Sequence, residues 1–87
     1  MKFVVLGSGS SVGVPWITGN WGNCNKKNKF NIRTRCSAYL KKGNLSILID
    51  TSPDIKEQIL GNKINNVDYV LYTHEHADQT SGIFELR

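Results

Sequence analysis

Residues 73–83 read Thr-His-Glu-His-Ala-Asp-Gln-Thr-Ser-Gly-Ile and hold both histidines of the 87-residue chain. His74, His76 and Asp78 stand at alternate positions. Imidazole suits borderline divalent cations such as zinc, and a carboxylate can hold the same ion or a neighbouring one. In extended backbone, alternate side chains share a face, so all three would project together from the end of the preceding apolar run. Two surface histidines in a loop are the competing reading, because a zinc site takes three or four ligands. The strand-like YVLYT before the segment, the aspartate at the third alternate position and the glycine at position 82 favour a metal loop.

The elements that must carry these residues can be placed by pattern. Phe3 to Leu6 is expected to be a buried strand that ends in the glycine-serine run Gly7–Gly13. A long stretch to Arg35, rich in Gly, Asn and Lys, shows no period and reads as a functional or disordered loop. Ser37 to Lys42 and Leu45 to Asp50 form two strands around Gly43-Asn44, a pair with hairpin-turn chemistry. The segment 51–60 carries helix-start signals: Thr51 or Ser52 as cap, Pro53 in the first turn, and Ile55, Ile59 and Leu60 as the apolar stripe. Gly61-Asn62 stops that helix. Val67 to Tyr72 is a further buried strand that leads into the histidines, and Ser81 or Gly82 begins a second helix.

Composition narrows the class. A net charge of +4 and a hydrophobic content of 39% fit one small globular domain or a piece of a larger one. No apolar stretch reaches membrane length and the opening MKFVVLG is too short for a signal core, which points to a cytoplasmic protein. Cys24 and Cys36 are then expected as reduced, partly buried thiols, too few for a structural zinc site of their own. Lys26, Lys27, Lys29, Arg33 and Arg35 fall within ten residues. They would suit an anionic partner or form a solvated loop. Trp16 and Trp21 in the same loop cover the core by default, or line a groove.

These motifs together resemble the metallo-β-lactamase superfamily of metal-dependent hydrolases, whose signature H-x-H-x-D-H follows a buried strand and here reads His74-Glu75-His76-Ala77-Asp78-Gln79. A second family feature, an aspartate ending the strand before the first helix, matches Asp50 in ILIDTSPD. More narrowly, LGSGSSVGVP, RTRCS, ILIDTSPD, THEHAD and GIFELR are similar to the phosphodiesterase branch. That branch includes phosphoribosyl cyclic phosphate phosphodiesterases and is related to tRNA 3′-processing ribonucleases.

The resemblance implies an α/β fold, half of a four-layer αββα sandwich with a mixed sheet and short helices. Residues 1–87 would form the N-terminal part of a single domain. His74 and His76 would ligate a first divalent metal, zinc foremost with manganese as the alternative. Asp78 would ligate a second metal and position the water that attacks phosphorus, which makes it the catalytic residue. Asp50 would support the ligands by hydrogen-bonding the metal loop. The Gly7–Gly13 run would lie beneath the site, either offering N–H groups to phosphate or serving as a plain turn. The implied activity is hydrolysis of a phosphate ester by metal-activated water.

Two departures limit that expectation. Gln79 stands where the family has an imidazole for the second metal, and its neutral amide oxygen would weaken that site or favour a harder ion. The family also draws a further histidine, a bridging aspartate and a final histidine from the rest of its domain, whereas this chain has no third histidine. The polypeptide alone is therefore expected to be inactive or nearly so, as a truncated or split hydrolase. As a non-catalytic module, it would use a bare apolar sheet face to pair with a second copy or with a complementary C-terminal half. Nucleic-acid binding through the basic loop and its tryptophans ranks third, because the charge is local.

Overall fold

A computed structural model describes every residue from Met1 to Arg87. Four strands form one mixed sheet in the order β1 (Lys2–Gly7), β2 (Ser37–Lys42), β3 (Leu45–Ile49) and β4 (Tyr69–Leu71). β1, β2 and β3 are antiparallel, with Val4 opposite Tyr39 and Tyr39 opposite Leu48. The β2–β3 hairpin turns at Gly43, whose φ of 57° costs a residue without Cβ nothing. β4 runs parallel to β3, with Leu48 opposite Val70. A parallel pair needs a crossover, and α1 (Ile55–Gly61) supplies it. After β4 come a short helix, α2 (Ala77–Thr80), and a 3₁₀ turn over Ser81–Leu86.

The pleat sorts the side chains. Leu6, Tyr39 and Leu48 point to one face, where Ile55 of α1 closes over them, and Val4, Ile59, Ile64, Val67, Val70 and Leu86 pack around this cluster. By register, Phe3, Val5, Ala38, Leu40, Ile47, Ile49, Tyr69 and Leu71 share the other face. No helix covers it: Phe3 is 60% exposed, Val5 62%, Tyr69 61% and Leu71 54%. The molecule is an α/β layer pair, helices on sheet, with an apolar second face open to solvent.

Several details differ from the sequence reading, the first being that β1 and β4, expected as buried strands, bury one face only and leave Phe3, Val5, Tyr69 and Leu71 exposed. The first helix starts at Ile55 after Asp54 rather than at a Thr51 or Ser52 cap. Thr51 and Ser52 are fully buried: the Thr51 hydroxyl donates to the Gln79 carbonyl at 3.1 Å, while the Ser52 hydroxyl donates to Gln58 Oε1 at 2.7 Å and accepts the Asp54 N–H at 3.1 Å in the turn before the helix. β4 is shorter than the expected Val67–Tyr72, because its only strand partner is β3, which ends at Ile49 before Asp50 turns to a φ of 64°. The second helix begins at Ala77 rather than Ser81, with the Gln79 and Thr80 N–H groups closing on the His76 carbonyl at 3.0 and 3.2 Å. The tryptophans stay out of the core, and Trp16 is 47% exposed.

Candidate functional site

The histidine segment hangs from Asp50. This residue is only 5% exposed and holds a left-handed φ of 64°, a region that aspartate tolerates better than most side chains. Its N–H donates to the Leu71 carbonyl at 2.8 Å, and its carbonyl accepts from the Ser37 hydroxyl at 2.7 Å. The turn aims its carboxylate past the end of β4. There Oδ1 accepts the Thr73 N–H and Oδ2 the Thr73 hydroxyl, both at 2.8 Å. Asp50 thus meets the histidine segment through Thr73.

Beyond Thr73 the two imidazoles lie against each other, ring centroids 4.6 Å apart and planes at 82°. His74 Nδ1 is 3.0 Å from the Thr73 hydroxyl oxygen. His74, Tyr72, Glu75 and Thr80 line an open depression of about 430 Å³.

Asp78 does not follow the alternation read from the sequence. It lies in the first turn of α2, where helical geometry replaces the strand period. One carboxylate oxygen accepts from Gln79 Nε2 at 3.0 Å. The structure therefore pairs His74 with His76 without bringing Asp78 into the same cluster, and no three His, Cys, Asp or Glu side chains converge on one point. The imidazole pair supplies two donors of the kind a tetrahedral zinc set takes.

Gln79 is 4% exposed and lies beneath the loop. Its Nε2 also reaches Cys36 Sγ at 3.1 Å, and its backbone carbonyl accepts the Thr51 N–H at 2.6 Å. The carboxylate of Asp78 dictates the amide's orientation, because the reverse would set oxygen against oxygen. In consequence Gln79 Oε1 is buried without a partner, which costs about 1–3 kcal/mol. Thr73 and Cys36 are the residues that sequence reasoning missed here. Thr73 is readable only as a hydroxyl next to a histidine, since its partner Asp50 is 23 positions away.

The basic loop is less available to an anion than its composition implied. Arg35 forms a bidentate pair with Asp54, Nε to Oδ2 at 2.7 Å and Nη2 to Oδ1 at 2.8 Å, and the Arg35 N–H adds a bond of 2.9 Å. The Arg35 side-chain hydrogen bond holds the Asp54 carboxyl below its ordinary range. The Arg35–Asp54 pair also lines the cleft of about 280 Å³ between the glycine run and Arg33. Within that run Gly7 and Gly9 pack against the backbone of residues 33–35, so close packing accounts for them. Cys24 is exposed and Cys36 half-buried, both as free thiols.

Comparison with known proteins adds four likenesses. Residues 32–87 match the family model described as the metallo-beta-lactamase superfamily. A curated octanoyltransferase from Porphyromonas gingivalis (strain ATCC BAA-308 / W83) is 40% identical over 88 residues, covering 100% of this chain and 18% of that protein. Among solved structures, a diphosphatase of the PhnP family superposes with a TM-score of 0.89 at 39% identity, over 98% of this chain and 34% of that one. Zinc-bound PqqB from Methylobacterium extorquens gives 0.78 at 27% identity, over 100% of this chain and 36% of that one. The chain thus spans about a third of these solved relatives and under a fifth of the curated one.

Proposed function

The chain belongs to the metallo-β-lactamase superfamily, and from that premise we propose that it carries the histidine-pair segment of a divalent-metal-dependent hydrolase of phosphate esters or anhydrides. The observation that carries this reading is the contact between the His74 and His76 rings at the end of a loop braced by Asp50. The likeness to a solved diphosphatase and to a zinc-bound protein supports the phosphate and the metal respectively. Zinc is the first choice because both neighbouring donors are imidazole nitrogens, with manganese as the alternative. A bound divalent ion would supply Lewis acidity and lower the pKa of a water enough to furnish hydroxide for attack on phosphorus.

The chain's own residues would divide the remaining work. His74 and His76 hold the ion, Asp50 keeps their loop in place through Thr73, and Asp78 would act on the attacking water or a second ion once it releases Gln79. Because the imidazole pair and Asp78 do not meet, a complete site needs further ligands, and activity of the chain alone is expected to be very low. The relative named as an octanoyltransferase supplies no competing reading, since the match covers 18% of it.

Equilibrium dialysis against zinc tests the proposal. The native chain should bind one ion per chain or per assembled site, and a His74→Ala, His76→Ala double variant should bind none. Equal metal content in the two would overturn it. A second reading is favoured by the bare apolar face of the sheet, which fits a docking surface for a second copy or for a complementary C-terminal half. The two readings are compatible, since docking could bring the missing ligands.

A further inference from the structure

We propose that Thr73 is a positioning residue that sets which nitrogen of His74 carries the proton, by coupling the ring to the buried carboxylate of Asp50. A hydroxyl has a single proton to give. The Thr73 oxygen lies 2.8 Å from Asp50 Oδ2 and 3.0 Å from His74 Nδ1. A carboxylate oxygen can only accept, so the hydroxyl proton is committed to Asp50. The lone pair that remains on the Thr73 oxygen then accepts from His74, which places the imidazole proton on Nδ1 and leaves the lone pair of Nε2 available.

The carboxylate end of this chain of bonds is fixed. Asp50 is 5% exposed, and its N–H, its carbonyl and both carboxylate oxygens are engaged by Leu71, Ser37 and Thr73. Its second oxygen also holds the Thr73 N–H at 2.8 Å, so Thr73 is gripped at backbone and side chain together. Neutral imidazole free in water prefers its proton on Nε2, so the hydroxyl works against an intrinsic preference and its loss should be visible. The consequence rests on the metal reading above: a ligating histidine commonly has its free N–H oriented by a carboxylate or another acceptor, and a hydroxyl backed by a carboxylate fills that part here.

Nitrogen-15 NMR of the imidazoles, at a pH where they are neutral, reads the tautomer directly. With only two histidines in the chain, a His74→Gln variant identifies the resonances. His74 should carry its proton on Nδ1 in the native chain and in Thr73→Ser, and shift towards Nε2 in Thr73→Val. A native His74 protonated on Nε2, or an unchanged tautomer in Thr73→Val, would overturn the proposal. Should the valine variant fail to fold, the native and serine spectra decide on their own. Zinc competition against a chelator should show Thr73→Val weakened about ten-fold, with Thr73→Ser close to native. If the native chain takes up no zinc, the hydrolase reading fails while the tautomer still decides the role of Thr73. A shifted tautomer with unchanged zinc affinity would remove the link between the two.

Discussion

At the scale of the residue, Asp50 does more than any other side chain to build the site. It combines a backbone conformation that few residues adopt with a carboxylate that accepts two hydrogen bonds from Thr73. The two properties can be separated by substitution. Asp50→Asn keeps the tolerance for a positive φ but can no longer accept on both side-chain atoms, and should cost about 1–3 kcal/mol. Asp50→Ala loses both acceptors and adds roughly 1–2 kcal/mol for the left-handed backbone. Urea titration of the two variants should therefore place alanine below asparagine, and equal midpoints would mean that the backbone conformation carries no strain. Gln79 is the opposite case, a buried amide whose nitrogen is claimed by Asp78 and Cys36 and whose oxygen is left unsatisfied.

At the scale of the element, two contacts tie the loops to the segment that leads into α1. The 3₁₀ turn after α2 docks through Gly82, whose N–H donates to the Thr51 carbonyl at 3.0 Å. A Cβ at position 82 would collide with the Ser52 carbonyl and approach Ile55 Cγ2 at 2.9 Å. Gly82→Ala should accordingly cost about 1–3 kcal/mol by overpacking. In a domain of this size that lowers Tm by at least about 4 °C, measurable by thermal circular dichroism. The second contact is the Arg35–Asp54 pair, which ties the long loop to the start of α1. Asp54 titrates lower in the folded chain than in the unfolded one, so its contribution is fully present above the ordinary carboxylate range and is lost as pH falls through the folded value. Asp54→Asn should destabilise the chain at neutral pH and flatten the loss of stability below about pH 4. Parallel stability–pH curves for native and variant would show that the pair does not contribute.

At the scale of the whole molecule, what is buried and what is exposed are oddly distributed. The buried hydrophobic residues are only Leu6, Tyr39, Leu48 and Ile55, whereas Ser37, Ser46, Asp50, Thr51, Ser52, Gln58 and Gln79 are buried and polar. The best-protected region is thus a hydrogen-bonded hub beneath the histidine loop, and much of the apolar surface lies on the uncovered sheet face. An apolar face of that kind associates or binds hydrophobic dyes. Val5→Lys and Leu71→Lys, which place charge on opposite edge strands of that face, should shift the sedimentation profile towards monomer and reduce dye binding. An unchanged profile would show that the face is not the contact surface.

What could be read in the sequence was mostly local. The β2–β3 hairpin around Gly43-Asn44, the stop at Gly61, the α/β order of elements and the resemblance carried by THEHAD and ILIDTSPD all depend on neighbouring residues, whose chemistry acts over a few positions. The superfamily followed from those motifs and is matched over residues 32–87. The tertiary structure decided what depends on distant partners. Thr51 bonds Gln79 instead of capping, Ser52 donates to Gln58 while still accepting the Asp54 N–H in the turn before the helix, and Arg35 left the basic patch because Asp54 neutralises it. The period-2 alternation of His74, His76 and Asp78 broke at Ala77, where the backbone turned helical and carried Asp78 away from the imidazoles. Thr73 gained its place between Asp50 and His74 only when folding brought the ends of β3 and β4 side by side, a juxtaposition that local sequence cannot encode.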